Sequence, residues 1–345
     1  MPRSLFSKGV GLVTMLLAAA FCWPGQIHAS PGEVVVYASV DQVYAEPVLK
    51  EFESRQGIKV KAVYDVEGAK TTGLVNRLLA EQDRPRADVF WNGEFAQTIL
   101  LKNKGALAAY RSSATRDIPD AVKDPEGYWT GFGGRARVIL VNTRLLPPSR
   151  YPQSLQDFLS PAWLAPQMGL AYPLFGTTAT QAAALYAAWG PDKAREFFTR
   201  LKARGVKVVA GNSVVRDLVA QGQLQAGLTD TDDAWGAMRR GAPVAVVYPD
   251  QEAGGLGTLI IPNTVALIAG GPHPEAGQKF IDYMLSPGVS EKLTAAGWFA
   301  MPPSPAAAPA PAGQSGRPQA MQVDLREVCR FLPQALSELR QIFMD

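Results

Sequence analysis

The chain contains 345 residues, of which 47% are hydrophobic and 19% are charged, and its formal net charge is +3. This length and hydrophobic content are sufficient for two ordinary domains, each with its own core. The small net charge and the lack of a run of lysines and arginines argue against nucleic acid as a partner.

The first residues have the pattern of a secretory signal peptide. Basic residues precede an apolar run over residues 10–21, which is too short to span a bilayer comfortably, and Ala29 is a small residue at a suitable cleavage position. We therefore expect residues 1–29 to be removed and the mature chain to lie in the periplasm. A retained membrane anchor and lipid attachment at Cys22 are the alternatives.

Cleavage after Ala29 would limit the chemistry of the mature chain, because Cys22 and His28 would leave with the signal peptide. Cys329 would then be the only cysteine and His273 the only histidine. A disulfide within the mature chain is excluded by this count, and so are sites that need several histidine or cysteine side chains.

The mature chain begins with a strand, a helix and a second strand over residues 33–64. The β-branched run at residues 34–36 is typical of a strand that is buried on both faces, and Gly57 ends the helix that follows. In open α/β sheets, ligands bind outside the carboxyl ends of the strands, where helix N-termini favour anions. Ser39 and Asp41 lie in this first loop and are therefore predicted to contact a ligand.

The same pattern recurs along the chain. A strand at residues 87–91 is followed by a polar loop with Glu94 and then by a helix over residues 95–104. A later buried strand over residues 138–142 is preceded by Arg135, which could line a cleft or form a structural pair with Asp88 or Glu94.

Further strand-to-helix loops supply the other candidate ligand-binding residues. Each of them could serve only as a helix N-cap, because Ser, Thr, Asn and Asp are favoured there. Three carboxylates within residues 230–233 exceed what capping requires, however, so we expect at least one to face the ligand. The candidates from these loops are Thr177, Thr178, Asn212, Ser213, Asp230 and Asp232.

These elements predict an α/β fold of two lobes that are joined by crossing strands and enclose a cleft. The first lobe is predicted to comprise residues 33–131 together with 258–300, and the second residues 138–250. A spacer rich in Pro, Ala, Gly and Ser follows at residues 304–318. The C-terminal segment, residues 319–345, is predicted to form an amphipathic helix from about Leu325 to Phe343.

Five stretches, in their order along the chain, resemble bacterial periplasmic solute-binding proteins of extracellular family 1. They are VVVYASVDQVYAEPVLKEFESRQGIKV, RADVFWNGE, GRARVILVN, GNSVVRDLVAQGQLQAGLTDTDDA and PNTVALIAGGPHPEAGQKFIDYMLSP. The resemblance covers roughly residues 33–300 and is greatest to the branch of ABC importers that handles ferric iron and organophosphates. It implies a bilobal Venus-flytrap fold, no catalysis and no cofactor. A monomer would capture a small molecule or metal ion and deliver it to an inner-membrane ABC permease.

The resemblance leaves two kinds of cargo open. In the iron binders of this branch, a carboxylate and two adjacent tyrosines hold Fe(III), and Glu94 matches the carboxylate, whereas residues 230–233 contain no tyrosine. A hard cation could still be held by carboxylates, with Glu94 and Asp232 as the predicted metal ligands. An anionic ligand of the phosphate or phosphonate type could instead form a bidentate pair with Arg135.

Two functions of other classes are alternatives. The aspartate cluster with a divalent ion would suit a secreted metal-dependent hydrolase, although a G-x-S-x-G nucleophile motif is missing from the sequence. A ligand-binding sensor that acts on a receptor would have the same sequence features as a transport protein.

Overall fold

The computed structural model describes residues 32–65, 71–299 and 318–344. The predicted signal peptide with Cys22, and all of the predicted spacer except Pro318, lie outside the described residues. None of the helices in these three ranges is long and apolar enough to cross a membrane.

The strands and helices follow one another in α/β alternation. The strands are Glu33–Ala38 (β1), Lys59–Tyr64 (β2), Val89–Asn92 (β3), Leu107–Ala108 (β4), Thr130–Asn142 (β5), Met168–Ala171 (β6), Lys207–Val209 (β7), Ala226–Asp230 (β8), Val244–Val247 (β9) and Ile260–Ile268 (β10). The α-helices are Gln42–Gln56 (α1), Thr72–Ala80 (α2), Ala96–Asn103 (α3), Gly176–Trp189 (α4), Pro191–Ala203 (α5), Asn212–Ala220 (α6), Thr231–Arg239 (α7), Pro274–Met284 (α8), Pro287–Ala295 (α9) and Leu325–Met344 (α10).

The strands pair in the order β2-β1-β3-β10-β5-β8-β6-β7, with β4 beside β10 and β9 beside β5. Pairing is parallel among β1, β2 and β3 and among β6, β7 and β8, whereas β5 and β10 are antiparallel to their neighbours. The parallel groups place the carboxyl ends of their strands at common edges, which is where the predicted ligand loops lie.

Strand β5 connects the two lobes of the predicted bilobal α/β fold. Its first part, from Thr130 to Ala136, pairs with β10, and its second part, from Arg137 to Asn142, pairs with β8 and β9. We call β1–β4 and β10 with α1–α3, α8 and α9 the first lobe, and β6–β9 with α4–α7 the second lobe. The residue boundaries of the lobes stay a prediction.

The first lobe shows how the local sequence produces its elements. Val34 and Val36 of β1 are fully buried, because helices cover the sheet, and they pack in one cluster with Phe52 of α1. Gly57 ends α1 with φ of 64°, a left-handed conformation that glycine adopts without a steric penalty.

The C-terminal helix α10 packs against α4 and α5 of the second lobe and against α3 of the first. Its buried side chains are Val328, Leu332, Ala335 and Leu339. Leu336 and Phe343 are only partly buried. Because α10 contacts three helices, its buried stripe is wider than that of a helix with one neighbour.

Two other segments are irregular. Residues 155–159 form a short 3-10 helix, Leu155–Leu159, with a capping box at Ser154. Strand β10 has an irregularity in its pairing with β5 between Pro262 and Asn263. Proline has no N–H to donate to the neighbouring strand, so the ladder is interrupted but the strand continues.

Candidate ligand-binding cleft

A polar cleft lies between the lobes at the carboxyl ends of the strands. Its walls come from β5, from Thr71 and the loops that follow β1 and β3 in the first lobe, and from the loops that follow β6, β7 and β8 in the second. The enclosed volume is about 30 Å³, which is room for a few water-sized groups.

Ser39 organises the wall of the first lobe. Its hydroxyl donates to Asn92 Oδ1 at 2.6 Å and accepts from the backbone N–H of Gly93 at 2.9 Å. The Thr71 hydroxyl lies 3.2 Å from both Ser39 Oγ and Asn92 Oδ1. These bonds join Thr71 and the loops after β1 and β3 into one wall of the cleft.

Arg135 of β5 reaches both lobes. Its Nη2 donates to the carbonyl oxygen of Gly93, and its Nη1 lies 3.3 Å from Asp232 Oδ2 and 3.5 Å from Asp230 Oδ2. The guanidinium also lies 5.7 Å from the centre of the Trp298 ring. Nε is buried and has no protein partner, so it is a donor that a ligand in the cleft could use.

Arg137, two residues further along β5, is completely buried. Its Nε donates to Gln181 Oε1 at 2.9 Å and its Nη2 to Thr178 Oγ1 at 3.3 Å. Its Nη1 shares two protons among Asp230 Oδ1 at 2.7 Å, Asn212 Oδ1 at 3.1 Å and Thr177 Oγ1 at 3.2 Å. Burial alone would raise the pKa of Asp230, but Arg137 and Arg135 outweigh it and lower that pKa. Asp230 is therefore held as a carboxylate.

The other two aspartates of the cluster also lie beside arginines. Arg216 Nη1 is 2.8 Å from Asp233 Oδ1, and Arg135 is the partner of Asp232. Burial raises the pKa of Asp232, although the attraction of Arg135 opposes the rise. The backbone oxygen of Asp232 accepts from the Tyr44 hydroxyl at 2.9 Å, which links α1 of the first lobe to α7 of the second.

Glu94 lies at the start of α3 and is almost completely buried. Its oxygens accept from the backbone N–H groups of Ala96 and Gln97, from Asn92 Nδ2 at 3.0 Å and from the Thr180 hydroxyl of α4 at 3.0 Å. Burial raises its pKa, against the opposing effect of these donors. The side chain therefore caps α3 and links it to α4, and it is not part of the cleft wall.

Four helix N-termini converge on the cleft. The N-cap residues of α1, α4, α6 and α7 are Asp41, Phe175, Gly211 and Asp230, and all four line it. None of these helices has a hydrogen bond from its N-cap side chain to its first turn. First-turn N–H groups lack partners within their own helix, and the helix dipole makes that end positive. The cleft thus offers backbone donors to an anion.

Most of the predicted ligand-binding residues line this cleft, but Glu94, Asp232 and Ser213 do not. The residues that do are Ser39, Asp41, Arg135, Thr177, Thr178, Asn212 and Asp230. Ser213 is partly buried in the first turn of α6. Asp232 is buried and is paired with Arg135.

Sequence reasoning missed Arg137 and Arg216. The signal for Arg137 was its position two residues after Arg135, because alternate residues of a strand face the same side. Two arginines on one face of an apolar strand require carboxylate partners, and the aspartate cluster supplies them.

The predicted metal ligands Glu94 and Asp232 are both bonded to protein groups, as described above. In the part of the chain that the structure describes, no group of three or more His, Cys, Asp or Glu side chains is arranged to hold a metal ion. A carboxylate that is paired with an arginine is a poorer ligand for a cation, because the guanidinium already neutralises it.

The fold agrees with comparisons to known proteins. The family model described as bacterial extracellular solute-binding protein matches residues 37–291, which is most of the chain. The chain belongs to this family. It is thus a solute-binding protein, as the sequence resemblance predicted.

Named relatives of this solute-binding protein fall into two groups. It is 27% identical to the major ferric iron-binding protein of Neisseria meningitidis over 290 residues, which are 81% of this chain and 83% of the relative. It is 25% identical to a putative 2-aminoethylphosphonate-binding periplasmic protein of Salmonella paratyphi A over 252 residues, 72% of this chain and 70% of the relative.

A solved structure confirms the bilobal fold. The periplasmic binding protein AfuA from Actinobacillus pleuropneumoniae, with exogenous fructose-6-phosphate bound, superimposes with a TM-score of 0.76 over 90% of this chain and 99% of AfuA. Their sequence identity of 23% supports the likeness in fold alone.

Proposed function

We propose that this protein is the periplasmic component of an ABC importer and that it captures a small organic anion with a phosphate or phosphonate group. The observation that carries the choice of an anion is the convergence on one cleft of four helix N-termini, none of which receives a hydrogen bond from its own N-cap side chain. Such N-termini bind phosphate through backbone N–H groups. The buried and unpartnered Nε of Arg135 adds a charged donor.

The relatives support this class of ligand. One is named for 2-aminoethylphosphonate, and AfuA holds a sugar phosphate. Capture between the lobes would be followed by delivery to an inner-membrane permease. Membership of the solute-binding family favours this function over that of a secreted hydrolase.

Ferric iron is the second candidate, because other relatives are named ferric iron-binding proteins. Iron as cargo would need oxygen ligands from the cleft, and the carboxylates that line it are Asp41, Asp230 and Asp233. The arginines beside Asp230, Asp232 and Asp233 oppose a trivalent cation by charge repulsion.

Equilibrium titration of the purified mature protein distinguishes these ligands. Calorimetry and tryptophan fluorescence would be recorded with 2-aminoethylphosphonate, fructose-6-phosphate, inorganic phosphate and ferric citrate. Trp298 lies against Arg135, so we expect its emission to respond when an anion reaches that arginine. Saturable binding of a phosphorus compound, with no hydrolysis of phosphate esters, supports the proposal. Binding of ferric citrate alone would refute the choice of an anion.

Location is tested by fractionation of cells that express the full chain. We expect the protein in the periplasmic fraction with its N-terminus at residue 30. A cytoplasmic protein with an intact N-terminus would contradict the proposed role in import.

A further inference from the structure

The side chains on the second-lobe wall of the cleft are bonded to one another. The Thr177 hydroxyl donates to Asp230 Oδ2 at 2.6 Å and accepts from Asn212 Nδ2 at 2.9 Å and from Arg137 at 3.2 Å. A hydroxyl has one proton and two lone pairs, so Thr177 has no further capacity.

Asn212 is saturated in the same way. Its Oδ1 accepts from Arg137 at 3.1 Å and from the Thr178 hydroxyl at 3.2 Å. Its Nδ2 donates to Thr177 and, at 3.1 Å, to Asp230 Oδ2. An amide side chain offers two donors and two lone pairs, and all of them are used. Thr177 and Asn212 therefore have no donor left for an anion, and the starts of α4 and α6 present their backbone N–H groups to the cleft.

Arg137 is at the centre of this set. It donates to the first turns of α4 and α6 and to the end of β8, all of which line the cleft, but it does not line the cleft itself. The guanidinium is planar and presents its donors in a fixed fork, so each bond restricts the direction of the others. Its position thereby sets the distance and angle between the starts of α4 and α6.

We propose that Arg137 is a positioning residue: it aligns the N-termini of α4 and α6 so that their backbone N–H groups bind one ligand together, without contacting that ligand. This inference rests on the proposed function, because it assumes that the ligand binds in the cleft. On this inference, the starts of α4 and α6 contribute to affinity through their backbone N–H groups. The side chains of Thr177, Thr178 and Asn212 hold those groups in position.

Two substitutions on α4 separate positioning from general stability. Gln181→Leu removes the acceptor of Arg137 Nε, whereas Tyr186→Phe removes the hydrogen bond to Glu338 of α10 at 2.8 Å. Each variant loses one hydrogen bond of the same helix, and neither residue lines the cleft. We expect Gln181→Leu to weaken binding by about three- to ten-fold, and Tyr186→Phe to leave it unchanged although the unfolding midpoint falls.

Arg137 itself is tested by variants that differ in charge and geometry. Arg137→Lys keeps the charge without the fork, and the double variant Arg137→Met with Asp230→Asn removes both charges of the pair, which buried pairs often tolerate. We expect both to fold, as judged by circular dichroism, and to bind at least ten-fold more weakly.

The wild-type protein is titrated first with 2-aminoethylphosphonate, inorganic phosphate and ferric citrate, and the variants are then titrated with whichever probe binds. Failure of the wild type to bind any phosphorus probe counts against the proposed function, whereas the inference is judged only by the ratio of variant to wild-type affinity. Full affinity in Arg137→Lys would show that charge alone suffices and would overturn the inference. Equal losses in Gln181→Leu and Tyr186→Phe would do the same, since they would indicate a general effect of helix stability.

Discussion

Replacing Glu94 with glutamine tests whether this carboxylate is a helix cap or a ligand-binding group. The carboxylate accepts four hydrogen bonds, whereas glutamine keeps one acceptor oxygen and gains an NH2 group that only donates. Two of the four donors keep an acceptor in the variant. The Thr180 hydroxyl lies 3.3 Å from the Gly176 oxygen, and Asn92 Nδ2 lies 3.0 Å from Thr98 Oγ1.

The remaining donors are the backbone N–H groups of Ala96 and Gln97, and a single oxygen cannot serve both in the same geometry. One buried N–H without an acceptor costs about 1–3 kcal/mol. We therefore expect Glu94→Gln to lower the free energy of unfolding by about 1–3 kcal/mol.

Urea unfolding at one pH measures this loss, with Glu196→Gln as the control. Glu196 lies on α5 with its side chain 67% exposed, so its substitution should change the free energy of unfolding by less than about 0.5 kcal/mol. Ligand affinity of Glu94→Gln should stay within about three-fold of wild type at a temperature where both are folded. Unchanged stability together with a ten-fold loss of affinity would refute the reasoning and place Glu94 against the ligand.

Three further predictions follow from the same contacts. Arg135→Met should weaken binding by about 10- to 150-fold, the equivalent of about 1.5–3 kcal/mol for a charged hydrogen bond, and a calorimetric titration with unchanged affinity would exclude Arg135 from the site. Leu332→Ala should lower the free energy of unfolding by about 2–5 kcal/mol. Met344→Ala, at a residue that is 64% exposed, should leave it nearly unchanged, and equal effects of the two substitutions would contradict the packing of α10. Burial raises the pKa of Glu94 above its usual value of 4.5, so the folded state binds its proton more tightly than the unfolded state. The stability of the wild type relative to Glu94→Gln should therefore decline as the pH rises from about 4.5 through the raised pKa, and unfolding curves at pH 5 and pH 8 that show no such decline would disagree.

The repeated strand-loop-helix pattern made the cleft predictable from sequence. A buried strand followed by a small polar loop and an amphipathic helix is a local signal, and it correctly placed Ser39, Asp41 and Asp230 at the edge of the sheet. Parallel pairing then brings such loops together whatever their separation along the chain. The order of strands in the sheet and the union of both lobes through β5 depend on long-range pairing, which periodicity does not encode.

The pairing of charges could not be predicted from single positions. Asp232 was predicted to contact the ligand and to bind a metal, and only the fold shows that Arg135 lies beside it. Glu94 matched the carboxylate of the iron binders, whereas its actual partners are donors from α3 and α4. The donor on α3 is a backbone N–H group, which any residue type would supply, and the donor on α4, Thr180, is far away in the sequence. A carboxylate two residues before a helix can cap that helix or bind a ligand, and burial of its surroundings decides between them.

The packing of α10 determines which fragments of this protein can be studied in isolation. A chain that stopped at residue 299 would still contain every predicted ligand contact. It would nevertheless lack the side chains of Val328, Leu332 and Leu339 that cover α4 and α5. Those two helices would then present an apolar surface to water, and copies of the fragment would associate through it. An expression clone for binding measurements must therefore include residues 318–344.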